Sequence, residues 1–67
     1  MKITAWGIRQ AIWGSDRTEE YWFSSKEARE EYAANHDHFD RIRARKVEAD
    51  EVFKSYADWV KSKKEEW

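Results

Sequence analysis

The sequence predicts an α+β fold in the order β-β-α-β-α: a small three-stranded antiparallel sheet, one helix packed on a face, and a C-terminal amphipathic helix. Three observations predict it. The stretch 21–34, YWFSSKEAREEYAA, joins a short aromatic strand to a capped helix, and RIRARKV alternates basic and apolar residues as a strand does. From about Ala49 the apolar spacing becomes three and four, as in a helix. A chain of 67 residues has room for one domain, 1–67.

The first two strands are predicted over residues 2–12 and 18–23, joined as a hairpin by the turn residues GSDR. The first strand has two possible registers, which differ in the set of alternate residues that faces the core. The first register is favoured because its inward side chains are larger. Its inward residues would be Thr4, Trp6, Ile8 and Ile12; those of the second would be Ile3, Ala5 and Ala11. Gly7 predicts either a place where an aromatic ring lies on bare backbone or a bulge.

The first helix is predicted to begin at about Ser25. Ser24 fits the N-cap and Glu27 completes a capping box, in which each side chain satisfies a backbone N–H. Phe23 and Ala28 then occupy the positions of a hydrophobic staple. The junction therefore fixes how the second strand leads into the helix.

The C-terminal half has two interpretations. In the favoured one, RIRARKV is the third strand and the second helix begins near Ala49, with Asp50 and Glu51 at its positive end. In the alternative, residues 39–67 are all helical, since RIRARKVEADEVF contains no strong helix breaker. Either way the second helix carries a broad apolar stripe: Val52, Phe53, Tyr56, Trp59, Val60 and Trp67.

Composition limits the possible functions. Charged residues make up 40% of the chain, the net charge is −1, and there is no Cys, so no disulfide or thiolate metal site can form. We expect no metal and no cofactor. No apolar run approaches the roughly 20 residues that span a bilayer, and MKITAWGIRQ lacks a signal-peptide hydrophobic region. These features predict a cytoplasmic protein without a membrane partner.

The sequence predicts a protein that is not an enzyme. Its carboxylate pairs lie in polar contexts, whereas acid–base catalysis needs a carboxylate whose pKa is raised by burial. It has no Ser/His/Asp arrangement and no glycine-rich phosphate loop, and so short a chain has little volume for a small-molecule pocket. We therefore expect no small-molecule substrate.

Protein binding is the function that the sequence favours. The apolar stripe is wider than one small domain is expected to bury, and large apolar patches mark interfaces. The partner would be another protein or a second copy in a homodimer, and the chain would suit a phage or mobile-element accessory protein that binds or inhibits a host protein. The protein-binding residues predicted are Phe53, Tyr56, Trp59, Val60 and Trp67.

Single-stranded nucleic-acid binding is the alternative function. If Ile42 and Ala44 face the first helix, three arginines project from the opposite sheet face beside an outward Trp22. Phosphate contacts and base stacking use such residues. In a purely structural interpretation the same arginines lie over Trp rings and pair with strand carboxylates such as Glu20. The residues of this alternative site are Trp22, Arg41, Arg43 and Arg45.

Overall fold

The computed structural model describes residues 1–66, with side chains described through residue 65. It confirms the α+β class, but the sheet has four strands rather than the three predicted. The elements are β1 (Lys2–Ala11), β2 (Thr18–Phe23), α1 (Lys26–Asn35), β3 (Phe39–Glu48), a 3₁₀ turn (Ala49–Glu51), β4 (Val52–Phe53) and α2 (Tyr56–Glu66).

The strand order is β3-β1-β2-β4, and β1 runs antiparallel to both of its neighbours. The added strand β4 pairs in parallel with the end of β2, which makes the sheet mixed. The sequence placed Val52 and Phe53 on the second helix, and that prediction is wrong. The 3₁₀ turn leads from β3 to the opposite edge of the sheet, where β4 lies. A strand of two residues is too short to show the alternation of apolar and polar residues that identifies a strand in a sequence.

Both helices begin at a serine that follows a strand. The predicted cap of α1 was wrong by one residue: Ser25 is the N-cap, and its Oγ accepts from the Ala28 N–H at 3.1 Å. The Ser24 N–H instead donates to the Phe53 carbonyl at 2.9 Å, so this serine still belongs to the sheet. At α2, Ser55 Oγ accepts from the Asp58 N–H at 3.2 Å, which starts the helix at Tyr56 rather than near residue 49.

A β-bulge in β3 changes which side chains share a face. Pairing steps from Ala5–Arg45 to Gly7–Ile42, two positions along β1 against three along β3, so β3 contains an extra residue. Ile42 consequently packs on the face opposite the helices, and Ala44 is exposed. The nucleic-acid alternative required Ile42 and Ala44 to face the first helix, and the bulge prevents that arrangement.

Each sheet face has its own apolar cluster. Both helices contribute to the larger, helix-side cluster, whose buried members are Ile8, Phe23, Ala28 and Tyr32. The smaller cluster lies on the other face, which we call the open face; its buried members are Ala5, Trp22 and Val47. Strand β1 supplies Ile8 to one cluster and Ala5 to the other, so neither predicted register of β1 alone describes the core.

Gly7 lies under the ring of Trp22. A Cβ atom at Gly7 would be 2.8 Å from Trp22 Cζ3 and 2.9 Å from Ile42 Cβ, closer than real Cβ atoms approach. The prediction that an aromatic ring lies against the bare backbone at Gly7 is confirmed. This glycine therefore allows a large ring to pack on the open face without a covering helix.

Candidate functional site

The turn between β1 and β2 presents an isolated tryptophan, Trp13, whose surface is 97% exposed. The turn has a defined backbone. The Ile12 N–H donates to the Arg17 carbonyl at 3.1 Å, and the Ser15 N–H donates to the Ile12 carbonyl at 3.2 Å. Gly14 has a φ of 76°, which a glycine adopts without strain. We call residues 12–17 the hairpin tip.

An open groove of about 700 Å³ adjoins the hairpin tip, and we call it the tip groove. It lies where the end of α1 and one side of α2 approach the β1–β2 end of the sheet. Apolar and aromatic side chains form most of its surface, and two lysines of α2 border it; these residues include Ile12, Tyr21, Trp59, Val60, Lys63 and Lys64. A smaller hollow of about 320 Å³ is lined by Trp13 itself and shares Gln10 and Ile12 with the groove.

The floor of the tip groove is a joint of interlocked rings between the two helices. The His36 ring stacks on Tyr32 at 4.1 Å with an interplanar angle of 8°, and Trp59 meets Tyr32 edge to face at 5.0 Å and 88°. His36 Nε2 and Tyr56 Oη are 2.9 Å apart, which joins the end of α1 to the start of α2. Perpendicular and offset ring pairs of this kind each stabilise a contact beyond the area they bury.

Burial favours the neutral forms of two rings in this joint, those of Tyr32 and His36. It raises the pKa of the Tyr32 phenol well above its usual range, and the nearby Tyr56 and Glu19 act in the same direction. Burial also lowers the pKa of His36, although the adjacent Asp37 opposes the change. The Tyr32 hydroxyl donates to Gln10 Oε1 at 2.5 Å, which ties the joint to β1. Aromatic rings therefore form the floor of the groove, and Tyr32, His36 and Tyr56 each have a polar atom hydrogen-bonded within the chain.

Polar contacts at the groove are mostly internal. Lys63 Nζ lies 4.9 Å from the Tyr21 ring centroid and 3.7 Å from Glu19 Oε2. The buried Trp59 Nε1 has no hydrogen-bond acceptor among the described residues, and its ring meets neighbouring rings nearly perpendicularly. An N–H against a ring face is a weak contact that such geometry permits. Lys64 is exposed on the border of the groove.

Three of the five protein-binding residues predicted from the sequence line the tip groove. Phe53 lies in β4 and packs against the helix-side cluster, as do Tyr56 and Trp59. Tyr56, Trp59 and Val60 also line the tip groove. Trp67 lies outside the described residues.

The sequence analysis did not single out Trp13. A tryptophan at the end of a predicted strand has the same pattern as any other strand residue. Its position beside the turn GSDR was the signal that could have identified it.

The predicted arginine ladder does not form on the open face. Arg41 lies on the helix side and makes two hydrogen bonds to the Glu30 carboxylate, at 3.0 and 2.9 Å. Chiefly because of that contact, and despite the opposing effect of burial, the pKa of Glu30 falls to about 2. Arg43 is exposed in the segment of β3 that contains the bulge.

Of the three arginines predicted for this site, Arg45 is the one that contacts Trp22 on the open face. Its guanidinium carbon lies 4.4 Å from the Trp22 ring centroid, and its Nη2 is 3.9 Å from Glu20. Trp22 itself is 8% exposed. These contacts are the ones expected in the structural interpretation of the arginines.

Across residues 1–66 no helix is long and apolar enough to cross a bilayer. No protein-family model matches the chain, and no curated protein or solved structure is significantly similar to it.

Proposed function

We propose that this chain is a non-enzymatic protein-binding module that uses its hairpin tip and tip groove as the contact surface. The observation that carries the proposal is Trp13, 97% exposed on a turn with a defined backbone and directly beside an apolar groove. Tryptophan is enriched among the residues that dominate binding energy, and apolar side chains next to a concave surface mark interfaces.

The aromatic side chains in the floor of the tip groove favour binding without rearrangement of the protein. Tyr32, Tyr56 and Trp59 are held by ring contacts from several directions, so the groove floor is ordered before a partner arrives. Pre-ordered side chains lose less conformational entropy on association. In this proposal Tyr56, Trp59 and Val60 form the groove, Phe53 supports it from β4, and Trp13 supplies the projecting contact. An accessory protein of a phage or mobile element that binds a host protein is one kind of module with this surface.

Single-stranded nucleic-acid binding ranks second. A base that stacks on Trp22 would have to displace Arg45 from the ring, and Arg41 is already held by Glu30 on the other side of the sheet. Of the predicted arginines this leaves Arg43 and Arg45, and two side chains give few phosphate contacts. If this alternative is right, replacing Arg43 and Arg45 by Glu abolishes oligonucleotide binding, and the affinity of the unchanged protein falls steeply with salt.

The test of the proposal is a photo-reactive cross-linking amino acid placed at position 13 in cells that produce the protein. The matched control carries it at position 26, since Lys26 is also exposed but lies at the opposite end of α1. We expect discrete protein adducts from position 13 and none from position 26. Absence of protein adducts at position 13, or equal adducts at both positions, would contradict the proposal.

A further inference from the structure

We propose that the partner of the hairpin tip is a second copy of this chain, with Trp13 of each protomer entering the tip groove of the other. This inference rests on the proposed function and names the partner. It commits to a two-fold contact, in which the same tip and groove are used by both protomers.

Trp13 projects from the chain directly beside the tip groove. Ile12 lines the tip groove, and Trp13 is the next residue along the chain. Gln10 and Ile12 line both the groove and the smaller hollow beside Trp13. In a two-fold interface every contact occurs twice, once in each direction. Because the hairpin tip adjoins the tip groove, both copies of the contact fit within one small patch, and such a contact closes at two copies.

The hairpin tip carries an acidic residue, and basic residues border the tip groove. Asp16 follows Trp13 by three residues on the hairpin tip, whereas Lys63 and Lys64 border the groove. Lys63 already contacts Glu19 within its own chain, and Lys64 is exposed in the last turn of α2. A tip seated in the groove brings Asp16 towards Lys64 of the partner. Opposite charges across an interface fix its orientation. Because the tip also carries the basic Arg17, the arrangement to test is the one that pairs Asp16 with Lys64.

The size of the contact predicts a weak dimer. Each tryptophan side chain buries roughly 150–250 Å², so two of them with their borders reach only the lower end of the specific interface range. We therefore expect an association weak enough to dissociate within the concentration range that solution measurements reach. The protein would be monomeric when dilute and dimeric when concentrated.

The experiment is sedimentation equilibrium of the full chain from low micromolar to millimolar concentration. The unchanged protein should rise from 8.2 kDa towards twice that mass. Trp13→Ala should weaken association at least tenfold, whereas Lys26→Ala, at the opposite end of α1, should leave it unchanged. Asp16→Lys and Lys64→Glu should each weaken it several-fold, and the double variant should recover it. Circular dichroism of every variant checks the fold.

Each result bears on the inference. A mass of 8.2 kDa at all concentrations, or a Trp13→Ala variant that dimerises normally, overturns it. A double charge variant no better than its single parents overturns the Asp16–Lys64 arrangement. If the purified chain stays monomeric while position 13 cross-links to a protein of a different mass, the self-pairing fails and the proposed function stands. If neither occurs, both fail.

Discussion

Trp22 and Trp13 both lie where no helix covers them, yet their surroundings are opposite. Trp22 is 8% exposed because Gly7 lets its ring lie on bare backbone and Arg45 lies over its other side. Trp13 is 97% exposed, and the Gly14 beside it has open space around its Cβ position. A tryptophan that no helix covers can therefore be structural, as Trp22 is, when a glycine leaves room for its ring to pack on the sheet. It is available for binding, as Trp13 is, when it lies on a turn with no backbone beneath the ring.

The largest effect is expected from Trp22→Ala. Removing a buried tryptophan costs about 3–5 kcal/mol of unfolding free energy. Whole domains are stable by only about 5–15 kcal/mol, and the smallest are less stable than average, so this variant should be largely unfolded. Urea unfolding followed by circular dichroism measures it. A loss below about 1 kcal/mol would show that Trp22 does not hold the open face together.

Gly7→Ala tests the same contact from the backbone side. The added methyl would meet a ring carbon at 2.8 Å and a β-carbon at 2.9 Å, neither of which is the end of a flexible chain. Overpacking of this kind costs about 1–3 kcal/mol.

Gly14→Ala is the matched control, because its Cβ would contact nothing and only its φ of 76° opposes the change. Both variants should lose stability in urea unfolding, but only Gly7→Ala should alter the environment of Trp22, seen as a change in near-ultraviolet circular dichroism. A Gly7→Ala protein with unchanged stability would contradict the packing described for the open face.

Acid should weaken the groove side of the molecule through His36. Burial lowers its folded-state pKa, so the folded state favours the neutral ring and the unfolded state binds the proton more readily. This contribution to stability is present above the unfolded pKa of about 6.5 and is lost as the pH falls through the folded pKa. Tyr56 contacts the ring, and Asp37 opposes the shift.

The measurement is urea unfolding at pH 7.5 and 5.5, with His36→Gln as the comparison. The unchanged protein should lose more stability on acidification than the variant does. Equal losses in both proteins would show that His36 does not couple the joint to pH.

The smallest effect on stability is expected from Trp13→Ala. Surface substitutions that break no contact usually change the unfolding free energy by less than about 0.5 kcal/mol. Since Trp13 is almost entirely exposed, the variant should unfold at the same urea concentration as the unchanged protein while losing self-association. A loss of stability comparable with that of Trp22→Ala would mean that Trp13 is a structural residue and would remove the contrast between the two.

The sequence predicted the fold class and the strand β2 because strong local signals agree there. Thr18–Phe23 ends in three consecutive aromatic residues, and the two serines after Phe23 indicate that the strand ends nearby. The cap moved from Ser24 to Ser25 because pairing with Phe53 extends the sheet by one residue, which is a long-range contact. Strand β4 was missed for the same reason, since only its partner β2 makes two residues a strand.

The candidate site depended even more on long-range geometry. Alternation along RIRARKV predicted three arginines on one face, but one extra residue in β3 puts Arg41 and Arg45 on opposite faces. The groove residues Tyr56, Trp59 and Val60 were found through helical spacing, although the groove also needs the hairpin end of the sheet. Exposure of Trp13 follows from the turn geometry, which a pattern of residue types does not specify.

The most direct test of the contrast is fluorine NMR of the protein labelled with fluorotryptophan, recorded from low micromolar to millimolar concentration. Trp13→Phe and Trp22→Phe variants assign the two signals. We expect the Trp13 resonance to move as the concentration rises, while the Trp22 resonance stays fixed. A stationary Trp13 signal would contradict self-association through the hairpin tip, and a Trp22 signal that moves in its place would contradict the assignment of binding to Trp13 and structure to Trp22.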